Sequence, residues 1–187
     1  MKSKKLNLGC GRYPKTSNEK EEWINLDWGK FKGVDKVHDL NKFPYPFKDN
    51  EFDEVYCSHV IEHLDDVIKT INELWRITKN NGQLIIKVPH FSIYNSLSEI
   101  SHKRCFGWQS FDPFAREDFL GPNYGKARFK IIKKKINFSR GSFLKIFNLP
   151  INFLINKILL FKFNFYERFF CYILPSEEII YILKVVK

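Results

Sequence analysis

The chain has 187 residues, 44% of them hydrophobic and 17% aromatic, which suffices for one packed domain and excludes a disordered or low-complexity polymer. Its net charge of +10 is unevenly placed. Residues 1–125 hold 18 basic and 18 acidic side chains, whereas residues 126–187 hold 13 basic and 3 acidic ones, with 13 of the aromatics. A neutral body therefore precedes a basic, aromatic segment. Cys10, Cys57, Cys105 and Cys171 form no C-x-x-C pair; this argues against a zinc knuckle or a disulfide framework and predicts reduced thiols in the cytoplasm. The opening MKSKKLNLGCG lacks an apolar run of secretory length, so no signal peptide is expected.

In chain order, KLNLG (5–9) reads as a buried strand ending in a Gly-Cys-Gly turn. WINLD (23–27) is a second strand that ends in a carboxylate, and VDKVHD (34–39) is a third, weaker one. The segment 28–33 is too short for a crossover helix. NKFPYPFKDN (41–50), with two prolines, is a loop, and FDEVYCS (52–58) is a fourth strand. LDDVIKTINELWRIT (64–78) places Val67, Ile71, Leu74, Trp75 and Thr78 at helical spacing, with Asp65 and Asp66 in its first turn. NNG (80–82) is expected to stop that helix. QLIIKVPHF (83–91) is a fifth strand, apolar enough to be central. Residues 92–125 are irregular. RFKIIKKKINF (128–138) and EEIIYILKVVK (177–187) read as closing strands, with one or two helices between them. The pattern predicts one α/β domain with a Rossmann-like, mostly parallel seven-stranded sheet, helices on both faces and truncated first helices. A basic aromatic insertion precedes the last strand. Residues 1–91 would form a cofactor-binding half and 92–187 an acceptor-side half.

Such sheets bind ligands at the carboxyl ends of their strands. Gly9-Cys10-Gly11 after the first strand admits a ligand close to the backbone. Asp27, 18 residues after Gly9, suits ribose hydroxyls. A dinucleotide would want a third glycine, but the run continues Arg12-Tyr13-Pro14. That favours S-adenosylmethionine, which has ribose and adenine but no phosphate.

LNLGCG, INLD, VHDLNKFPYPFKDNEFDEVYCSHVIEHL and NGQLIIKVPH resemble the class I S-adenosylmethionine-dependent methyltransferases over roughly residues 4–118. The likeness is narrowest to a small subgroup that accompanies cell-surface polysaccharide synthesis. The resemblance implies that Leu8, Gly9, Cys10 and Gly11 wrap the methionine end and sugar. It implies that Asp27 holds the ribose hydroxyls with Trp28 near the adenine, that Asp39 and Leu40 meet the base, and that Ser58 and His59 line the sulfonium pocket. It sets Glu62 and His63 at a strand-to-helix junction beside the cofactor. No Asn-Pro-Pro-Tyr occurs, so the amino-methylating DNA enzymes are not matched.

His59-x-x-Glu62-His63 also has the spacing of a zinc-protease motif. That chemistry needs both histidines in one regular helix and a third ligand downstream; His59 comes straight off a strand, so no metal is expected. If the methyl acceptor is a hydroxyl, a histidine suits removal of its proton near neutral pH; the candidates are His102, His90 and His59. The expected function is methyl transfer to a small molecule or cell-envelope saccharide. The alternatives are an RNA methyltransferase and a catalytically silent cofactor-binding module acting through its basic tail.

For residues 126–175 three readings compete: an apolar lid or dimer surface with snorkelling lysines, a contact with an anionic membrane surface at its inner face, and, ranking below both, a nucleic-acid face. The longest uncharged run there, Ile146 to Asn156, has 11 residues, short of the ~20 that a spanning helix needs.

Overall fold

A computed structural model of the chain describes residues 2–115, 124–138 and 166–187. Seven strands form one sheet in the order β3-β2-β1-β4-β5-β7-β6. They are β1 (Ser3–Leu8), β2 (Glu21–Asp27), β3 (Lys36–Val37), β4 (Phe52–Ser58), β5 (Thr78–Pro89), β6 (Arg128–Asn137) and β7 (Glu178–Val186). β1 to β5 pair in parallel, whereas β7 runs antiparallel between β5 and β6.

The central strands carry Leu6, Leu8, Leu26, Val55, Cys57, Leu84, Ile86 and Val88, all fully buried, as expected of parallel strands covered on both faces. Helix α1 (Val67–Ile77) turns Ile71, Leu74 and Ile77 inward. Asp66 caps it by accepting from the Lys69 amide at 2.9 Å. Asp66 therefore lies just outside the first turn, and Asp65 precedes it.

The buried Glu73 ties α1 to the proline loop. It accepts from the Tyr45 amide at 2.6 Å and from Arg76 at 2.6 Å. Arg76 in turn donates to the carbonyls of Phe47 and Tyr45. This network fixes the proline loop against the C-terminal half of α1.

The structure corrects three expectations. NNG (80–82) does not stop α1: the helix ends at Ile77, where the Thr78 hydroxyl donates to the Leu74 carbonyl at 2.6 Å. NNG instead occupies an irregularity early in β5, where pairing jumps from Phe52↔Thr78 to Glu54↔Gln83. β3 shrinks to two residues because only Leu26 and Asp27 of β2 pair with it. Residues 9–20 contain no helix where a truncated one was expected, and residues 28–35 form the bare loop that their short length requires. The helices expected between β6 and β7 lie outside the described residues, apart from a π-helical turn at Tyr166–Phe170.

Candidate functional site

The turn after β1 is shaped by two left-handed glycines, Gly9 (φ +63°) and Gly11 (φ +51°). A Cβ on Gly9 would lie 2.3 Å from a Val60 methyl, whereas one on Gly11 would meet nothing within 4 Å. Gly9 is thus required by packing and by backbone, and Gly11 by backbone alone. The Gly9 and Cys10 amides donate to the Leu26 carbonyl at 2.8 and 3.1 Å, which anchors the turn on β2.

Asp27 closes the arrangement. Its carboxylate is buried and accepts from the Gly11 amide at 2.7 Å and the Gly29 amide at 3.0 Å. A carboxylate has about four acceptor positions, so both oxygens keep capacity for a ligand. A cavity of about 720 Å³ opens here, and Gly9, Gly11, Asp27, Trp28, Asp39, Leu40 and His59 all line it. Trp28 is 72% exposed, so its ring is available to a flat ligand. Phe31, Asn41 and Val60 also line the cavity. Phe31 was not singled out because its short loop offers no motif; only the turn at Gly29, tied to Asp27, brings it round.

Three predicted residues do not line the cavity. Leu8, the last residue of β1, and Cys10, in the turn itself, are both buried. Burial, reinforced by the Asp27 charge, pushes the Cys10 thiol up to about 11, so it stays protonated at neutral pH. Ser58 ends β4 and does not line this cavity.

The candidate catalytic histidines separate. His59 adopts a left-handed backbone (φ +55°) directly after β4, held by its amide donating to the Lys87 carbonyl at 2.9 Å. A non-glycine residue in this region stores strain of the kind found at functional sites. Its imidazole lies 3.3 Å from Glu62 and 3.2 Å from Glu178. His59 and His63 line both the first cavity and a second one of about 280 Å³, which also contains Glu62, His102 and Glu177.

His90 is corrected. It is fully buried and lines neither cavity. Its Nδ1 meets the Ser92 hydroxyl at 2.7 Å, its Nε2 meets Glu167 at 3.3 Å, and Phe91 stacks on it. β5 turns this side chain into the packing behind the site. His102 does reach the second cavity, with its ring 4.8 Å from that of His63.

Residues 19–86 match the sequence profile of the methyltransferase domain family, a stretch that runs from the start of β2 into β5. The whole described architecture aligns with a S-adenosylmethionine-dependent methyltransferase from Archaeoglobus fulgidus at TM-score 0.62 and 18% identity, covering 98% of this chain and 86% of that one. This is a methyltransferase fold. A phosphoethanolamine N-methyltransferase of Haemonchus contortus, solved in complex with S-adenosyl-L-methionine, shares the methyltransferase fold at TM-score 0.53 and 16% identity; the match covers 100% of this chain and 49% of that one. In sequence, the chain is 36% identical over 89 residues to an uncharacterized protein of Methanocaldococcus jannaschii. That match takes in 44% of this chain and 39% of the relative's length. Within the methyltransferase fold, the Gly9–Gly11 turn and Asp27 stand at the carboxyl edge of β1 and β2, next to the point where strand order reverses between β1 and β4.

Proposed function

We propose that the chain is an S-adenosylmethionine-dependent methyltransferase. The observation that carries this reading is the shared cavity of the Gly9–Gly11 turn and the Asp27 carboxylate. The residues fit the cofactor: glycines free of Cβ leave the backbone approachable, Asp27 retains acceptor capacity for two ribose hydroxyls, and Trp28 with Leu40 offers flat and apolar surface for adenine. When bound, the cofactor supplies a methyl group on a sulfonium; its carbon–sulfur bond breaks as the acceptor–carbon bond forms, and the acceptor's proton is released.

The work left to the chain is alignment. His59 stands where the two cavities meet, placed to orient an acceptor entering through the second one. The acceptor we favour is a hydroxyl-bearing small molecule or a cell-envelope saccharide. The support is the resemblance of the sequence and the histidine, glutamate and asparagine side chains in that cavity's lining, which can hydrogen-bond the hydroxyls of such a ligand. Contact with an anionic membrane surface through residues 126–175 fits the same reading: exposed Phe169, Tyr172 and Ile173 accompany the basic charge of that segment. Residues 139–165, which hold four of its eleven basic side chains, lie outside the described residues.

Calorimetry with S-adenosylhomocysteine tests the binding half. Wild-type protein should bind, and Asp27→Asn should bind about 10–100-fold more weakly, the size of one or two lost hydrogen bonds to a charged group. Absence of binding by folded wild-type protein refutes the proposal. Methyl-labelled cofactor offered with sugar nucleotides, lipid-linked sugars and RNA tests the second half. Label in a saccharide supports this reading, label in RNA replaces the acceptor, and binding without transfer to any acceptor points to a silent module.

A further inference from the structure

The His59-x-x-Glu62-His63 segment contains more than the cofactor reading uses. Ile61–His63 forms a single 3-10 turn after β4, and the irregular segment that follows α2 (Tyr94–Ser98) brings His102 back over it. One ligating atom each from Glu62, His63 and His102 lies within 4.8 Å of the others. The three face the same 280 Å³ cavity.

Two independent observations point to a cation there. The first is Glu62: it is fully buried, and neither carboxylate oxygen has a hydrogen-bond partner among the described residues. A carboxylate buried without hydrogen bonds is costly unless a positive charge meets it. Among the described residues the His59 Nδ1 lies 3.3 Å away, outside hydrogen-bond geometry, and the same ring faces Glu178 at 3.2 Å. One imidazole carries at most a single positive charge and here meets two carboxylates.

The second observation is how the other two ligands are held. His63 Nδ1 lies 3.2 Å from the Ser101 carbonyl, and His102 Nδ1 lies 3.4 Å from the Ser96 carbonyl. A carbonyl only accepts, so each Nδ1 is placed to donate there, the arrangement that in a neutral imidazole leaves Nε2 as the ligating atom. Backbone carbonyls orienting the remote nitrogen are the usual support of metal-bound histidines.

We propose that Glu62, His63 and His102 form a binding site for a divalent first-row metal ion of the zinc class. Two imidazoles and one carboxylate suit zinc, cobalt or iron better than calcium or magnesium, which take oxygen sets. Three protein ligands leave a position open to an oxygen donor, as in catalytic rather than structural zinc sites. His63 and His59 also line the larger cavity, so that open position adjoins the proposed methyl-transfer site. An oxygen acceptor bound to the metal there would be the substrate class; this last point rests on the methyl-transfer reading, whereas metal binding does not. The arrangement differs from the protease motif, because His59 supplies no ligand and the third ligand comes from far along the chain.

Full-length protein stripped with EDTA is titrated with Co²⁺ under visible absorption, and with Zn²⁺ by competition. One equivalent of Co²⁺ should bind with visible bands that Zn²⁺ displaces. His102→Ala and Glu62→Gln should each weaken binding about tenfold or more. His102 is half-exposed, so its variant keeps the test alive if the Glu62 variant misfolds; circular dichroism checks both. S-adenosylhomocysteine calorimetry on the same metal-free samples reads the cofactor site separately. Metal binding without cofactor binding leaves this inference standing and removes the methyl-transfer reading. Failure of the wild-type protein to bind Co²⁺, or equal affinity in wild type and both variants, overturns it.

Discussion

Replacing Gly9 by alanine separates the two demands made on the turn after β1. The left-handed backbone at φ +63° costs an L-residue about 1–2 kcal/mol. The added Cβ would sit 2.3 and 2.8 Å from the two Val60 methyls, and overpacking of this kind costs about 1–3 kcal/mol. Gly9→Ala should therefore lose about 2–5 kcal/mol. Gly11→Ala, with φ +51° and no neighbour within 4 Å, should lose only the backbone share of about 1–2 kcal/mol. Urea unfolding of wild type, both single variants, Val60→Ala and the Gly9→Ala/Val60→Ala pair measures this. The steric share should vanish in the Val60→Ala background and the backbone share should persist. Equal losses at Gly9 and Gly11, or a Gly9 effect indifferent to Val60, would show that the turn is not wedged against β4's exit as described.

Asp66→Ala should lower stability by about 0.5–2 kcal/mol at neutral pH, read by thermal or urea unfolding. The Lys69 amide donated to its carboxylate holds Asp66 below the usual range. The cap's contribution is thus full above the unfolded-state value and fades as pH falls through the lowered folded one, so wild type and variant should converge in acid. Native protein should expose one thiol to Ellman's reagent, Cys105, because Cys10, Cys57 and Cys171 are buried; denaturant should release all four. His90→Ala should cost about 1–3 kcal/mol of stability, since it removes the acceptor of the Ser92 amide and one partner each of the Ser92 hydroxyl and Glu167. It should leave affinity for S-adenosylhomocysteine within about twofold of wild type by calorimetry.

Local chemistry made some of the structure legible and long-range geometry hid the rest. β4 could be read to its last residue because an apolar stretch ends sharply at a polar junction. The Gly9–Gly11 turn and Asp27 could be paired because both features sit at strand ends, and the topology then brings adjacent strand ends together. NNG misled because a common helix-stop tripeptide also suits an irregular strand entry; the side-chain bond from Thr78 to Leu74 had already ended the helix. His90 and His102 looked equivalent as histidines near strand ends. The pleat sends one inward, and a loop closing over 39 residues brings the other to His63. The expectation of no metal asked for both histidines of the motif in one helix and did not weigh Glu62 and His63 as ligands without His59.

The reversed direction of β7 has a kinetic corollary. Its first residues lie at the same edge as the ends of the parallel strands, where Glu177's carbonyl receives the His90 amide at 3.2 Å and Glu178 faces His59. β1 to β5 are translated before β6, and the wall that carries these two glutamates follows β6. The residues that line the first cavity are thus all translated before Glu177, which completes the lining of the second.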